Sequence, residues 1–179
     1  MRWDGAPAKS LRTVAELAIP AGRSLAIAEI VAPIAAPEML ALAARIVAID
    51  PWRRYATYTA EDLAGYLGHV EPEAPRFLIL ENDIVVGAFG LRHGWLRGPY
   101  LQFLAVLPEG QRRGIGSAVL MWIETEARAN RERNLLVLTS AFNEPALAFY
   151  ERHGFTRVGP LADLVADGIT EIMLHKRLR

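Results

Sequence analysis

The sequence predicts an α/β domain built on a mixed, mostly antiparallel central sheet flanked by helices. Three observations carry that prediction. Short apolar runs bounded by Gly, Pro, Asn and Asp alternate along the chain with stretches of helical periodicity. Residues 76–107 read as a hairpin meander, and strand, helix, strand, helix and strand follow it. The chain has 179 residues, 52% of them hydrophobic, which suits one domain with a sizeable core.

Each element has its own signal. Residues 1–22 read as an N-terminal arm open to flexibility, closed by Pro20 and Gly22, with residues 11–17 left between a helical turn and a strand. The domain proper is expected over residues 23–179. Residues 25–34 predict its first strand. Pro37 suits a helix start, and Met39, Leu42, Ala43, Ile46 and Val47 share one face of a helix over residues 38–49. Asp50-Pro51 should end that helix. An aromatic, arginine-bearing loop follows over residues 52–58. Thr59 with Asp62 forms a capping box for a short helix reaching Leu67.

Residues 76–80 and 84–91 predict a hairpin closed by Glu81-Asn82-Asp83, with Gly87 and Gly90 marking bulges or close backbone approach. A second turn is expected over residues 94–99 and a long strand over 100–107. Ile115, Val119, Trp122 and Ile123 line one side of the next helix. The uninterrupted run 135–138 predicts a central strand buried on both faces. Asn143 caps another helix, with Pro145 in its first turn and Gly154 as a good terminator. The last strands are expected over 155–158 and 169–174, with a turn at Asp167-Gly168.

Composition narrows the function classes. Twenty basic and twenty acidic residues balance to zero formal charge, so bulk electrostatics favours neither nucleic acid nor a membrane surface. The absence of cysteine excludes a disulfide framework, a thiolate zinc site and a cysteine nucleophile. The four histidines are scattered and show no metal-ligand spacing. No apolar stretch reaches membrane-spanning length, and the default expectation is a cytoplasmic protein.

The chemistry concentrates in residues 104–121. Leu104, Ala105, Val106 and Leu107 form an apolar strand end that Pro108 should terminate. Gln111, Arg112, Arg113, Gly114, Ile115 and Gly116 follow, and then a helix. A first helical turn offers unpaired N–H groups and the positive end of the dipole. Glycines let an anion approach the backbone, and the arginines add charge. A Walker A loop would need Gly-Lys-Ser/Thr, and a dinucleotide fingerprint would need Gly or Ala where Val119 stands; neither fits.

What remains, Gln/Arg-x-x-Gly-x-Gly after a strand ending in Leu-Pro, resembles the pyrophosphate loop of the GCN5-related N-acetyltransferase (GNAT) family. A second stretch strengthens the resemblance. Asn143 precedes a helix carrying Phe149 and Tyr150 and ending at Gly154-Phe155, similar to the family's C-terminal signature. The resemblance covers roughly residues 77–174 and implies a GNAT-like fold binding acetyl-CoA as cosubstrate, without metal. It implies that Leu104, Ala105 and Val106 offer main-chain groups to the pantetheine arm. Arg112, Arg113, Gly114, Ile115, Gly116 and Ser117 would wrap the pyrophosphate, with Gln111 bracing the loop. Asn143 would bond the pantetheine as well as cap its helix. Tyr150 would protonate the departing CoA thiolate.

The last role makes physical sense, since a thiol has a pKa near ~8.5 and a phenol near ~10. With no cysteine and no Ser-His-Asp motif, the implied reaction is direct acetyl transfer to a primary amine in a ternary complex. Gln102 stands where some relatives carry a glutamate, so the base that deprotonates the amine stays open between a water chain, His93 and Glu81. The acceptor, expected against Trp52, Arg53, Arg54, Tyr55, Tyr58 and Trp95, stays open between a small amine and a protein N-terminus. A homodimer is also open. The rival from another class is a non-catalytic acyl-CoA-binding sensor or assembly module, which would keep the loop and Asn143 without needing Tyr150.

Overall fold

Among the described residues eight strands and four α-helices succeed one another as β1 (Leu11–Ile19), β2 (Arg23–Ile30), α1 (Ala36–Val47), α2 (Ala60–Gly68), β3 (Arg76–Glu81), β4 (Ile84–Trp95), β5 (Gly98–Val106), α3 (Ile115–Ala129), β6 (Asn134–Ser140), α4 (Glu144–Arg152), β7 (Thr156–Ala162) and β8 (Thr170–Arg177). They belong to a computed structural model of the chain, which describes residues 10–55 and 59–179. The strands form one sheet in the order β1-β2-β3-β4-β5-β6-β8-β7. β5 and β6 pair in parallel, whereas β1–β2, β2–β3, β3–β4, β6–β8 and β7–β8 pair antiparallel. The expected mixed, mostly antiparallel sheet is therefore present.

The chain divides into two compact units, Met1–Leu91 with Phe103–Leu120 and Arg92–Gln102 with Met121–Arg179. In the first, the helical periodicity of α1 buries Met39, Leu42, Ala43 and Ile46. α2 adds Leu63 and Leu67 to the same core, together with Leu78 of β3 and Phe103 of β5. The capping box at α2 forms as expected: Thr59 Oγ1 accepts from the Asp62 amide at 3.0 Å, and the Asp62 carboxylate accepts from the Thr59 amide at 3.3 Å. Asn82 and Asp83, at φ 50° and 62°, close the β3–β4 hairpin. A Cβ on Gly87 would lie 2.4 Å from the Ala105 carbonyl oxygen, so only glycine admits that approach.

Within residues 1–22, Leu11–Ile19 is strand β1, paired with β2 from Leu11↔Ile30 to Ile19↔Arg23. A register shift between Thr13 and Ala15 breaks the period-two pattern, which is why the sequence there reads ambiguously. Residues 1–9 lie outside the described residues.

In the second unit, β6 carries consecutive buried residues Leu135, Leu136 and Val137, as expected of a strand with neighbours on both sides. Several boundaries differ from expectation: β2 stops at Ile30 rather than 34, and β4 and β8 run on to Trp95 and Arg177. Two further differences have a local reason. The turn read at residues 94–99 is only Leu96-Arg97, both in the left-handed region at φ 48° and 64°. Neither is a usual turn residue, so Gly94 and Pro99 drew the boundary outward. β7 is longer than residues 155–158 because it runs on through Gly159 and Pro160. It is an edge strand with a register shift between Arg157 and Gly159, a setting that tolerates proline.

Candidate functional site

Strand β5 alternates. Phe103, Ala105 and Leu107 are buried, and Leu104 and Val106 are half-buried on the other face. The Leu107 amide donates to the Val86 carbonyl at 2.8 Å, fixing the end of β5. Pro108 then opens a single 3-10 turn ending at Gly110, which is buried. The loop that follows bends through Arg112 at φ 60° and Gly114 at φ 82° before α3 starts at Ile115. A Cβ on Gly114 would also meet Pro20 Cδ at 3.0 Å, so both space and backbone conformation select glycine there.

Among the described residues, no main-chain hydrogen bond runs from the amides of Arg112, Arg113, Gly114, Ile115 or Gly116 to another carbonyl. The first helical closure comes only at Ala118, whose amide donates to the Gly114 carbonyl at 3.0 Å. Among the described residues these five consecutive amides thus have no partner, where the dipole of a fifteen-residue helix is positive.

The loop's side chains are tied down in other directions. Gln111 Nε2 donates to the Val106 carbonyl at 3.0 Å, the bracing role expected of it. Arg113 Nη1 donates to the Glu109 carbonyl at 2.9 Å and lies 3.4 Å from the Glu81 carboxylate. Glu109 pairs with Arg45 of α1. Arg112 is exposed and has neither an ion pair nor a side-chain hydrogen bond among the described residues.

Glu81 is a poor base in this setting. It is 8% exposed, it accepts a hydrogen bond from Arg23 Nε, and it faces Arg113. The Arg23 bond, aided by both guanidinium charges and opposed by burial, holds its carboxyl below the usual range. Arg23 lies 58 residues from Glu81, so the sequence alone does not present this pairing. Near the loop's unit, Trp52 stacks on Phe103 with centroids 5.1 Å apart, and Tyr66 lies 6.1 Å from the same ring. Tyr55 is buried, and Tyr58 lies outside the described residues.

In the second unit, Asn143 caps α4 by accepting from the Ala146 amide at 3.3 Å, while its Nδ2 reaches Thr139 Oγ1 at 3.4 Å. Two turns on, Tyr150 is 7% exposed, edge-on to Phe149 and Phe155 with centroids 5.2 and 5.4 Å away. Its hydroxyl makes no hydrogen bond to any described residue. Burial first, and Tyr100 second, push that hydroxyl's pKa well above a phenol's ordinary value, so it stays protonated. His93 is half-buried near Glu132, whose carboxyl is raised by burial and partly drawn back by His93. Among the described residues there is no group of three or more His, Asp or Glu able to hold a metal, and no helix long and apolar enough to cross a membrane.

The mixed, mostly antiparallel sheet flanked by helices defines an α/β fold of the acetyltransferase class. The chain belongs to the acetyltransferase (GNAT) family, whose sequence model matches residues 39–155. It is 37% identical over 99 residues to Acetyltransferase Atu2258 of Agrobacterium fabrum, an alignment covering 54% of this chain and 67% of that protein. It is 35% identical over 97 residues to N-alpha-acetyltransferase 30 of Schizosaccharomyces pombe, covering 51% of this chain and 63% of the relative. Among solved structures it is similar to Ard1 from Thermoplasma volcanium, with a TM-score of 0.68 at 19% identity over 87% of this chain and 98% of that one. It is also similar to an aminoglycoside 6'-N-acetyltransferase complexed with coenzyme A, with a TM-score of 0.60 at 18% identity over 80% of this chain and 92% of that one. The last two likenesses bear on the fold alone.

Proposed function

We propose that this acetyltransferase moves the acetyl group of acetyl-CoA directly to a primary amine. The observation that carries the reading is the run of amides from Arg112 to Gly116 at the start of α3, without partners among the described residues. A diphosphate is the part of acetyl-CoA that such a run would bind, with Ser117 beside it and Arg112 supplying charge. The main-chain groups of Leu104, Ala105 and Val106 would take the pantetheine arm as an added strand, and Asn143 would bond its amides.

The chemistry follows from the groups at hand. The amine nitrogen attacks the thioester carbonyl, a tetrahedral intermediate forms, and the C–S bond breaks. The sulfur leaves with the electron pair and needs a proton. Tyr150 is the donor in this reading: its side chain is largely buried, and its hydroxyl is protonated and bonded to none of the described residues. Its raised pKa would make transfer to a water-like thiolate uphill. A thiolate expelled into the same dry surroundings has its own pKa raised by desolvation, which narrows the gap. The ammonium proton of the amine leaves through water in this reading, since the Arg23 hydrogen bond and the two guanidinium charges make the Glu81 carboxylate too weak a base.

The acceptor reading favoured is an amino terminus of a peptide, on the strength of the 35% identity to an enzyme named as an N-alpha-acetyltransferase. The test is thiol release from acetyl-CoA across peptides and small amines, with Tyr150→Phe beside the natural protein. Turnover of peptide amines, with kcat lowered about a hundredfold or more in the variant, is expected. Tight acetyl-CoA binding with no turnover of any amine at any pH would instead make the chain a binding module.

A further inference from the structure

The diphosphate loop is gripped from behind by residues that do not touch its amides. The geometry points to Glu81 as a positioning residue that fixes this loop through Arg113, backed by Arg23 and Pro20 of the β1–β2 turn. This rests on the loop reading above and adds a part of the chain that the family match at residues 39–155 leaves out.

Four observations converge. Glu81 ends β3 with its side chain 9% exposed, between Arg23 and Arg113. A carboxylate this dry stays ionised because two guanidiniums face it, and breaking a buried pair leaves an uncompensated charge. Arg113 spends Nη1 on Glu81 and on the Glu109 carbonyl, at 3.4 and 2.9 Å, so its charge is engaged away from any ligand. Pro20 lies against Gly114, at the point where the loop turns into α3. Glu109 and Gln111 add tethers to Arg45 and to the Val106 carbonyl. Every tether uses a side chain or a carbonyl, and none consumes an amide of residues 112–116. The loop is therefore held in shape before a ligand arrives, which lowers the ordering cost of binding. Among the described residues Arg112 is unengaged by other side chains, and Arg113 is the loop's clamp.

The test compares CoA with pantetheine, which lacks the diphosphate, by calorimetric titration. The proteins are the natural chain, Glu81→Gln, Arg113→Met and the double variant, each checked for folding by circular dichroism. Glu81→Gln should weaken CoA by about tenfold or more, as for a lost charge-assisted bond, and leave pantetheine within about twofold. Arg113→Met should match it, and the double variant should be no worse than either single one, because both remove the same clamp. Three results would overturn the assignment: CoA affinity unchanged in Glu81→Gln, equal losses for CoA and pantetheine, or additive losses in the double variant. If the natural protein binds CoA no better than pantetheine, the loop reading itself falls. Discrimination in the natural protein that survives in Glu81→Gln removes only the clamp.

Discussion

At residue scale, the loop separates two arginines that the sequence presents as equivalent neighbours. Arg112 sits at φ 60° with no side-chain partner among the described residues, while Arg113 is tied to Glu81. A non-glycine residue in the left-handed region carries a backbone penalty of roughly 1–2 kcal/mol. Arg112→Gly should therefore raise stability by about 1 kcal/mol in urea titration while weakening CoA and flattening the salt dependence of its binding. A variant that gains stability and keeps both affinity and salt slope would show that Arg112 has no part in the site. Asn143 was legible from sequence as the cap of α4, and Tyr150 stands out because it sits at a fixed offset inside the same short motif. Glu81 was legible only as a residue, because its meaning comes from Arg23 and Arg113, distant along the chain.

At the scale of elements, local signals located starts better than ends. The α2 cap was readable because Thr59 and Asp62 are three residues apart and both reciprocal bonds are local. Thr59→Ala should cost about 1 kcal/mol in urea titration, and Thr59→Ser should restore most of it. The helix face of α1 was readable for the same reason, since Met39, Leu42, Ala43 and Ile46 repeat at helical spacing. Strand extents were less legible. β7 passes through Pro160 because it is an edge strand, and edge position is a property of the whole sheet. The Leu96-Arg97 turn lacks the residues that usually announce one. Gly87 announced a close approach without naming its partner, the Ala105 carbonyl.

At the scale of the whole molecule, two glutamates should set opposite slopes in stability against pH. Glu81 is held below the ordinary carboxylate range, chiefly by Arg23. Its contribution is present above the unfolded value, near ~4.5, and is lost as pH falls through the folded one. Glu132 is the reverse. Its Oε2 is buried without a hydrogen-bond partner among the described residues, and burial raises its carboxyl despite the pull of His93. A raised carboxyl favours the folded state only while protonated, so stability is lost as pH rises past the unfolded value and through the folded one. Glu81→Gln should accordingly be less stable than the natural chain at pH 7, with the deficit narrowing only as pH falls below about 4.5. Glu132→Gln should be more stable at pH 7, with the gain closing as pH falls toward that value, because a neutral amide avoids an ionised, unpaired oxygen. Urea titrations at pH 4 and pH 7 on the three proteins check both signs. Parallel shifts at the two pH values would mean that packing, rather than charge, governs both sites.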